Sequence, residues 1–422
     1  MSQKWYRLDT AALIFPAITK RDWCNVFRVS AELSEEIDPD VLQEAIRDLK
    51  SRFPSFYVSL HKGFFWYYLE ESKEDVRVQK DFAYPLTFMS RKELHENCLR
   101  VFYYKNRMAV EVFHSVSDGR GGVIFLANLV ARYIERKYGV EIPKGDLIRD
   151  FKEAPRAEEL EDSFLKNAAE KASSRKEETA YRLHGTKDKS GFKHLTTGIV
   201  ESKRLLDVSH EYGVTVTSFL AAVMAESILA MQAEERSRKR QKPVKITVPV
   251  DLRRLYHSKT LRNFTLVLNS GVDPRYGAYT FAELCSTIHH QLRANATPQN
   301  MAGMIAANVQ PQQVVALRLA PVFLKNFVMK LVYNDSGERG GCINISNLGN
   351  LDLPEPMLTY VKRMEFIIGP QLRYPNNCSV LSCGGKTYIN MIRIIQETEL
   401  ERQFFSRLVA LGVPVEIESN GG

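Results

Sequence analysis

The sequence predicts an α/β (α+β) protein of two subdomains, each a mixed sheet with flanking helices. Three observations carry this. The 422 residues exceed what one ordinary hydrophobic core accommodates. Strand-like and helix-like periodicities are mixed in both halves. Between the halves, residues 145–193 are rich in Glu, Lys, Arg, Ser and Ala and poor in large apolar side chains, as in a solvated helical segment and linker. The expected division is residues 1–180 and 181–422.

Each element has a local reason. Residues 22–32 read as a strand, and Asp38 followed by Pro39 marks an N-cap and first turn of a helix that runs to about Arg52 and stops at Pro54. Strands are expected at 55–61 and 63–71, turning on His61-Lys62-Gly63, with Phe64 to Tyr68 mostly in the core of a two-faced sheet. A helix near 91–97 precedes a hairpin, 98–104 and 107–114, and then a helix over 122–138. The second half opens with a strand at 194–201 and helices at 202–212 and 218–233. Strands follow at 244–250 and 264–272, then helices at 280–296 and 312–333. Strands at 342–347 and 359–367, a hairpin at 378–395 on Gly384-Gly385, and a helix at 397–410 complete the chain. No internal repeat is visible.

Composition narrows the function classes. Hydrophobic content of 44% and aromatic content of 10% fit a globular chain. Six cysteines without C-x-x-C pairs and a beginning unlike a signal peptide imply free thiols and a cytoplasmic setting. The most apolar long segment, 313–333, is interrupted by Arg318, Pro321, Lys325 and Lys330, which predicts an amphipathic helix and no membrane span. The formal net charge of +8 favours anionic partners. The basic run 236–242 is either a solvated loop or a guide for phosphates or for an acidic carrier protein. Nucleic acid is not expected, because no recognition motif accompanies the charge. His289-His290 lacks a companion ligand motif, so no metal site is expected.

The candidate chemistry centres on Phe113-His114-Ser115-Val116-Ser117-Asp118-Gly119. Residues 108–114 alternate, with Met108, Val110, Val112 and His114 on one face. The strand thus delivers His114 at its tip, beside a turn of small residues, and Asp118 lies four residues on. A neutral, oriented imidazole with one nitrogen free is what general-base chemistry needs.

His-x-x-x-Asp-Gly between a strand and a helix, Val250-Asp251-Leu252-Arg253 in the second half, and Ser346-Asn347-Leu348-Gly349 near the end occur in an order that resembles the chloramphenicol acetyltransferase-like superfamily. The likeness spans the whole chain and is nearest to alcohol O-acetyltransferases, with BAHD-type, polyketide-associated and condensation-domain members as relatives. The resemblance implies two similar subdomains enclosing a tunnel, with an acyl thioester entering one mouth and an acceptor the other. It implies His114 as general base, moving an acyl group, most simply acetyl, from coenzyme A to a small alcohol or amine. It assigns Asp118 and Gly119 structural roles, with Arg253 as the ion-pair partner of Asp118 and Arg254 as the fallback. Ser346 and Asn347 are either oxyanion donors or an ordinary strand-ending turn, and Asn263 would shape the tunnel. Coenzyme A thioester would be a co-substrate, with no resident cofactor. An acyl carrier protein is the alternative donor, and a degenerate binding protein the non-catalytic alternative. Condensation domains carry a second histidine where this chain has Phe113, which argues against peptide-bond formation.

Overall fold

The computed structural model describes all residues except 1–3, 21–22, 24, 83, 175–176, 235–240, 334–336, 372 and 422. Most of the basic run 236–242, and Cys24, therefore lie outside the described residues.

The first lobe is built on a five-stranded sheet in the order Val361–Ile368, Val26–Leu33, Arg107–Phe113, Leu99–Tyr104, Val78–Lys80. A smaller sheet pairs Trp5–Arg7, Tyr67–Glu71 and Val58–Lys62 beside it. Arg107–Phe113 is central and, after Arg107, buried on both faces. Its outward-alternating Glu111 is consequently buried too, ion-paired with Arg28 at 3.2 Å. Helices Pro39–Leu49 and Gly119–Tyr138 pack together over the sheet. The first begins as expected, with the Asp38 carboxylate accepting from the amides of Asp40 and Val41 and Pro39 in its first turn.

The second lobe carries a seven-stranded sheet in the order Thr265–Val272, Val244–Asp251, Ile343–Leu351, Asn376–Cys383, Lys386–Arg393, His194–Glu201, Glu416–Ser419. Helices Val216–Ala233 and Phe281–Asn295 pack against each other in its core. Val216–Ala233 is the one described helix long and apolar enough to cross a membrane; its Phe219 to Ala225 run is buried in this core. Strand Val361–Ile368 leaves the second half and pairs antiparallel with Val26–Leu33, so the sheet of the first lobe draws on both halves of the sequence.

Several expectations need correction. The aromatic hairpin turns on Gly63–Trp66, where the Gly63 amide donates to the Trp66 carbonyl at 2.8 Å. Phe64 and Phe65 thus sit at an exposed tip instead of in the core. The helix expected over 312–333 is two pieces, Val315–Leu319 and Val322–Val332, and they follow a helix not expected from the sequence, Pro298–Gln313. Pro321 lacks an amide proton and forces Ala320 into an extended conformation, which ends the first of the two pieces. Strands Trp5–Arg7 and Glu416–Ser419 carry too little pattern to be read beforehand. The linker is less solvated than its composition suggests. Glu159 is buried in a two-pronged pair with Arg52 (2.7 and 2.8 Å), and Phe164 is fully buried. The carbonyls of Glu159 and Glu161 also accept from Leu261 and Thr260, so the linker braces the loop that enters the site from the second lobe.

Candidate active site

His114 is the first residue beyond the central strand. Its amide continues the ladder by donating to the Asn25 carbonyl at 2.8 Å. The small residues that follow anchor the turn to its surroundings. Ser115 Oγ donates to the Ala12 carbonyl (3.2 Å), and Ser117 Oγ to the Leu261 carbonyl (2.5 Å). The imidazole stacks on Phe15, with centroids 4.4 Å apart, and meets Phe27 edge-on at 5.4 Å.

The ring is fixed by a residue from the other half of the chain. Asn263 Nδ2 donates to the His114 carbonyl (2.9 Å) and to Asp9 Oδ2 (3.1 Å). Both partners are acceptors, so the amide oxygen must face the imidazole, 2.9 Å from Nδ1. An amide oxygen only accepts, which makes Nδ1 the protonated nitrogen and Nε2 the basic one. Burial pushes the His114 pKa below its ordinary value, against the pull of Asp118 and neighbouring acceptors, so the neutral ring prevails. Asp9, fully buried behind Asn263, also accepts from the amides of Ala12 (2.7 Å) and Asn263 (3.3 Å). Desolvation pushes its carboxyl up to about 6.

Asp118 turns away from His114. It caps helix Gly119–Tyr138 by accepting from Gly121, and it accepts from the Phe264 amide (2.9 Å) and the Thr265 hydroxyl (3.0 Å). Arg253 closes on it in a fork, Nη1 to Oδ2 at 3.0 Å and Nη2 to Oδ1 at 2.9 Å. The remaining N–H groups of that guanidinium reach the Thr260 carbonyl, Asp251 Oδ1 and the Arg262 carbonyl. All five donors are therefore occupied, and Arg253 has none left for a substrate. Arg254 is exposed and takes no part in this cluster. Burial alone would raise the Asp118 pKa, but the Arg253 charge and the bonds it receives hold it below the ordinary value. Gly119 is required by packing, since a Cβ there would lie 2.7 Å from the Phe366 ring.

A cavity of about 320 Å3 lies between the lobes, lined by His114, Phe15, Asn263 and Ser346 among others. Asp118 and Gly119 border it, as does Asn347. One wall is aromatic, with Trp23 against Tyr333 at 5.0 Å. Another holds Asp251, Thr265 and Arg120, a half-buried guanidinium with no ion pair among the described residues. Ser346 and Asn347 lie where strand Ile343–Leu351 bulges between Asn347 and Asn350, a break that Gly349 permits at φ +78°. Asn347 Nδ2 donates to Thr217 Oγ1 (3.1 Å), and its Oδ1 accepts from Gly349 (2.8 Å). The Ser346 hydroxyl makes no side-chain hydrogen bond among the described residues. Of the residues singled out in the sequence, His114, Asp118, Gly119, Asn263, Ser346 and Asn347 line this cavity, whereas Arg253 lies behind it, bonded to Asp118. Residue order did not point to Asp9, Phe15 or Arg120, whose positions depend on contacts far apart in sequence. The five described cysteines are buried, line no part of the cavity, and have thiol pKa values raised by burial. No group of His, Cys, Asp and Glu suited to a metal occurs among the described residues.

Comparison with solved structures shows that this fold is shared with acetyltransferase and condensation-domain structures. Polyketide synthase associated protein 5 from Mycobacterium tuberculosis matches with a TM-score of 0.59 at 15% identity, covering 96% of this chain and 97% of that one. TRI101 of F. graminearum, solved with coenzyme A and T-2 mycotoxin, matches with a TM-score of 0.63 at 9% identity, covering 96% and 97%. The epimerization domain from the third module of tyrocidine synthetase B gives 0.60 at 13% identity, covering 97% and 96%. No family model and no curated protein sequence matches the chain. Identities this low establish the fold, and a fold that also serves epimerization leaves the reaction to be argued from the site.

Proposed function

We propose that the protein transfers an acyl group from a coenzyme A thioester to the hydroxyl or amine of an acceptor, with His114 as general base. The observation that carries this reading is the Asn263–His114 bond, which sets Nδ1 as the protonated nitrogen of a histidine that lines the cavity and so leaves Nε2 as the base. The presence of coenzyme A in TRI101, a protein of the same fold, supports the donor class.

In this mechanism the acceptor O–H or N–H proton passes to Nε2 as the heteroatom attacks the thioester carbonyl. The negative charge of the tetrahedral intermediate develops on the former carbonyl oxygen, for which the unengaged Ser346 hydroxyl is the better placed donor. Asn347, bonded to Thr217 and Gly349, supports the bulge. Collapse breaks the C–S bond, and the thiolate takes the proton from the imidazolium. The products are the ester or amide and free coenzyme A thiol, and the base is regenerated. Proton transfer of this kind contributes about 3–5 kcal/mol to lowering the barrier. No covalent acyl-enzyme is invoked.

The test is thiol release from acetyl-coenzyme A with a panel of alcohols and amines, for wild type and His114→Ala. Acceptor-dependent release that falls about a hundredfold or more in a folded variant supports the proposal. Equal rates would remove His114 from the chemistry. Release by neither protein, followed by transfer from an acyl carrier protein, would replace the donor.

A further inference from the structure

Outside the cavity the chain exposes an apolar surface that its own fold does not cover. Helix Val315–Leu319 buries none of its residues, and helix Val322–Val332 buries only Val322. Val315, Leu319, Phe323, Phe327 and Leu331 are 53–67% exposed, and Phe64 at the hairpin tip is 70% exposed. Phe323, Phe327 and Leu331 recur every fourth residue and so form one line along the helix. The tip and the helix are joined. The Val322 amide donates to the Phe64 carbonyl (2.8 Å), and Lys325 donates to the Phe65 carbonyl (2.9 Å) while lying 3.3 Å above the Trp66 ring.

The charge carried by this segment has one sign. Between Gln313 and Tyr333 there is no Asp or Glu, whereas Arg318, Lys325 and Lys330 are cationic. Arg318 and Lys330 are exposed and form no ion pair among the described residues. A monomeric protein rarely leaves so much contiguous apolar surface open to water. Short amphipathic helices with protruding aromatics and a basic surround are suited to the interface of an anionic bilayer, where apolar burial and headgroup attraction add. The surface is also continuous with the cavity. Helix Val322–Val332 packs against Phe15–Ile18, whose Phe15 stacks on His114, and it leads into Tyr333 in the aromatic wall.

We propose that this face docks the protein on an anionic lipid bilayer. Phe64, Phe323 and Phe327 enter the acyl-chain boundary, and Arg318 and Lys330 meet the headgroups. The inference concerns where the protein sits and does not depend on the reaction proposed for His114.

The test is flotation of the full chain with vesicles of phosphatidylcholine and phosphatidylglycerol, against phosphatidylcholine alone. Wild type should float with the mixed vesicles and more weakly with phosphatidylcholine, and rising salt should reduce the difference. Phe323→Asp combined with Phe327→Asp should lower partitioning about tenfold or more, with melting temperature unchanged because both positions are exposed. Arg318→Glu combined with Lys330→Glu should abolish the preference for the anionic vesicles. Absence of wild-type flotation, or equal flotation by the Asp double variant, overturns the proposal. A wild-type dimer that binds neither vesicle and becomes a monomer in the Asp double variant also overturns it, assigning the face to a second copy.

Discussion

Asn263 holds His114 at two points, accepting at 2.9 Å from the ring Nδ1 and donating at 2.9 Å to the carbonyl of the same residue. One side chain therefore fixes both the ring's tautomer and the backbone that carries it. Asn263→Leu removes the acceptor and frees the tautomer, and kcat should fall about tenfold or more. Asn263→Asp places a carboxylate against Nδ1, which favours the imidazolium and raises its pKa. The acidic limb of the kcat/KM profile should then move to higher pH, a shift that loss of packing alone would not produce.

In the wild type the same profile should have its acidic limb below 6.5, the ordinary histidine value, because burial disfavours the charged ring. Activity needs the neutral form, so it should persist as pH falls to that lowered pKa and decline below it. A limb at or above the ordinary value would show that another group controls the rate.

The Asp118–Arg253 fork is a stability element. Arg253→Met leaves the buried Asp118 carboxylate without its counter-charge, and unfolding free energy should fall by about 3–5 kcal/mol; Asp118→Leu should cost less, because the guanidinium keeps Asp251 as a partner at 2.9 Å. The sign of the pH dependence follows from the lowered Asp118 pKa. Its contribution is complete above the unfolded value of about 3.9 and disappears as pH falls through the lower folded value. Denaturation of wild type and Asp118→Leu should thus differ most at neutral pH and converge only in strong acid.

Glycines at the start of the following helix make two separable predictions. At Gly121 a Cβ would lie 2.4 Å from the Leu261 carbonyl oxygen, and backbone cannot yield cheaply, so Gly121→Ala should cost about 3 kcal/mol. At Gly119 the obstacle is the Phe366 ring at 2.7 Å, which borders the cavity. Gly119→Ala should displace that ring and raise KM for bulky acceptors more than it lowers the melting temperature.

Ser346→Ala tests the oxyanion assignment. Loss of a donor that acts only on the tetrahedral intermediate should lower kcat about a hundredfold with little change in KM. Equal kinetics in the variant would return Ser346 to the role of strand-ending residue.

The legible parts of the sequence were those written locally. Asp38-Pro39 caps its helix, Gly384-Gly385 turns its hairpin at positive φ, and the strand before His114 ends where the small residues begin. Family likeness pointed to Arg253 as the partner of Asp118, and the geometry pairs those two residues. The clamp on His114 was not legible, because Asn263 is 149 residues away and its local sequence carries only a strand pattern. Phe64 and Phe65 look like core in a window of five aromatics, yet the register of Val58–Lys62 with Tyr67–Glu71 leaves them in the turn. Glu159 looks like one more solvated acid until Arg52 is placed beside it.

The pairing of Val361–Ile368 with Val26–Leu33 sets an order of events during synthesis. Val26–Leu33 leaves the ribosome early, gains Arg107–Phe113 on one side, and then waits on its other side for a strand translated more than three hundred residues later. Until that strand arrives, a mostly buried apolar segment presents an unpaired edge to any other chain in reach. Truncation before residue 361 would make that exposure permanent. Such fragments should aggregate through the first lobe, although every residue of its helices and of its other strands is present.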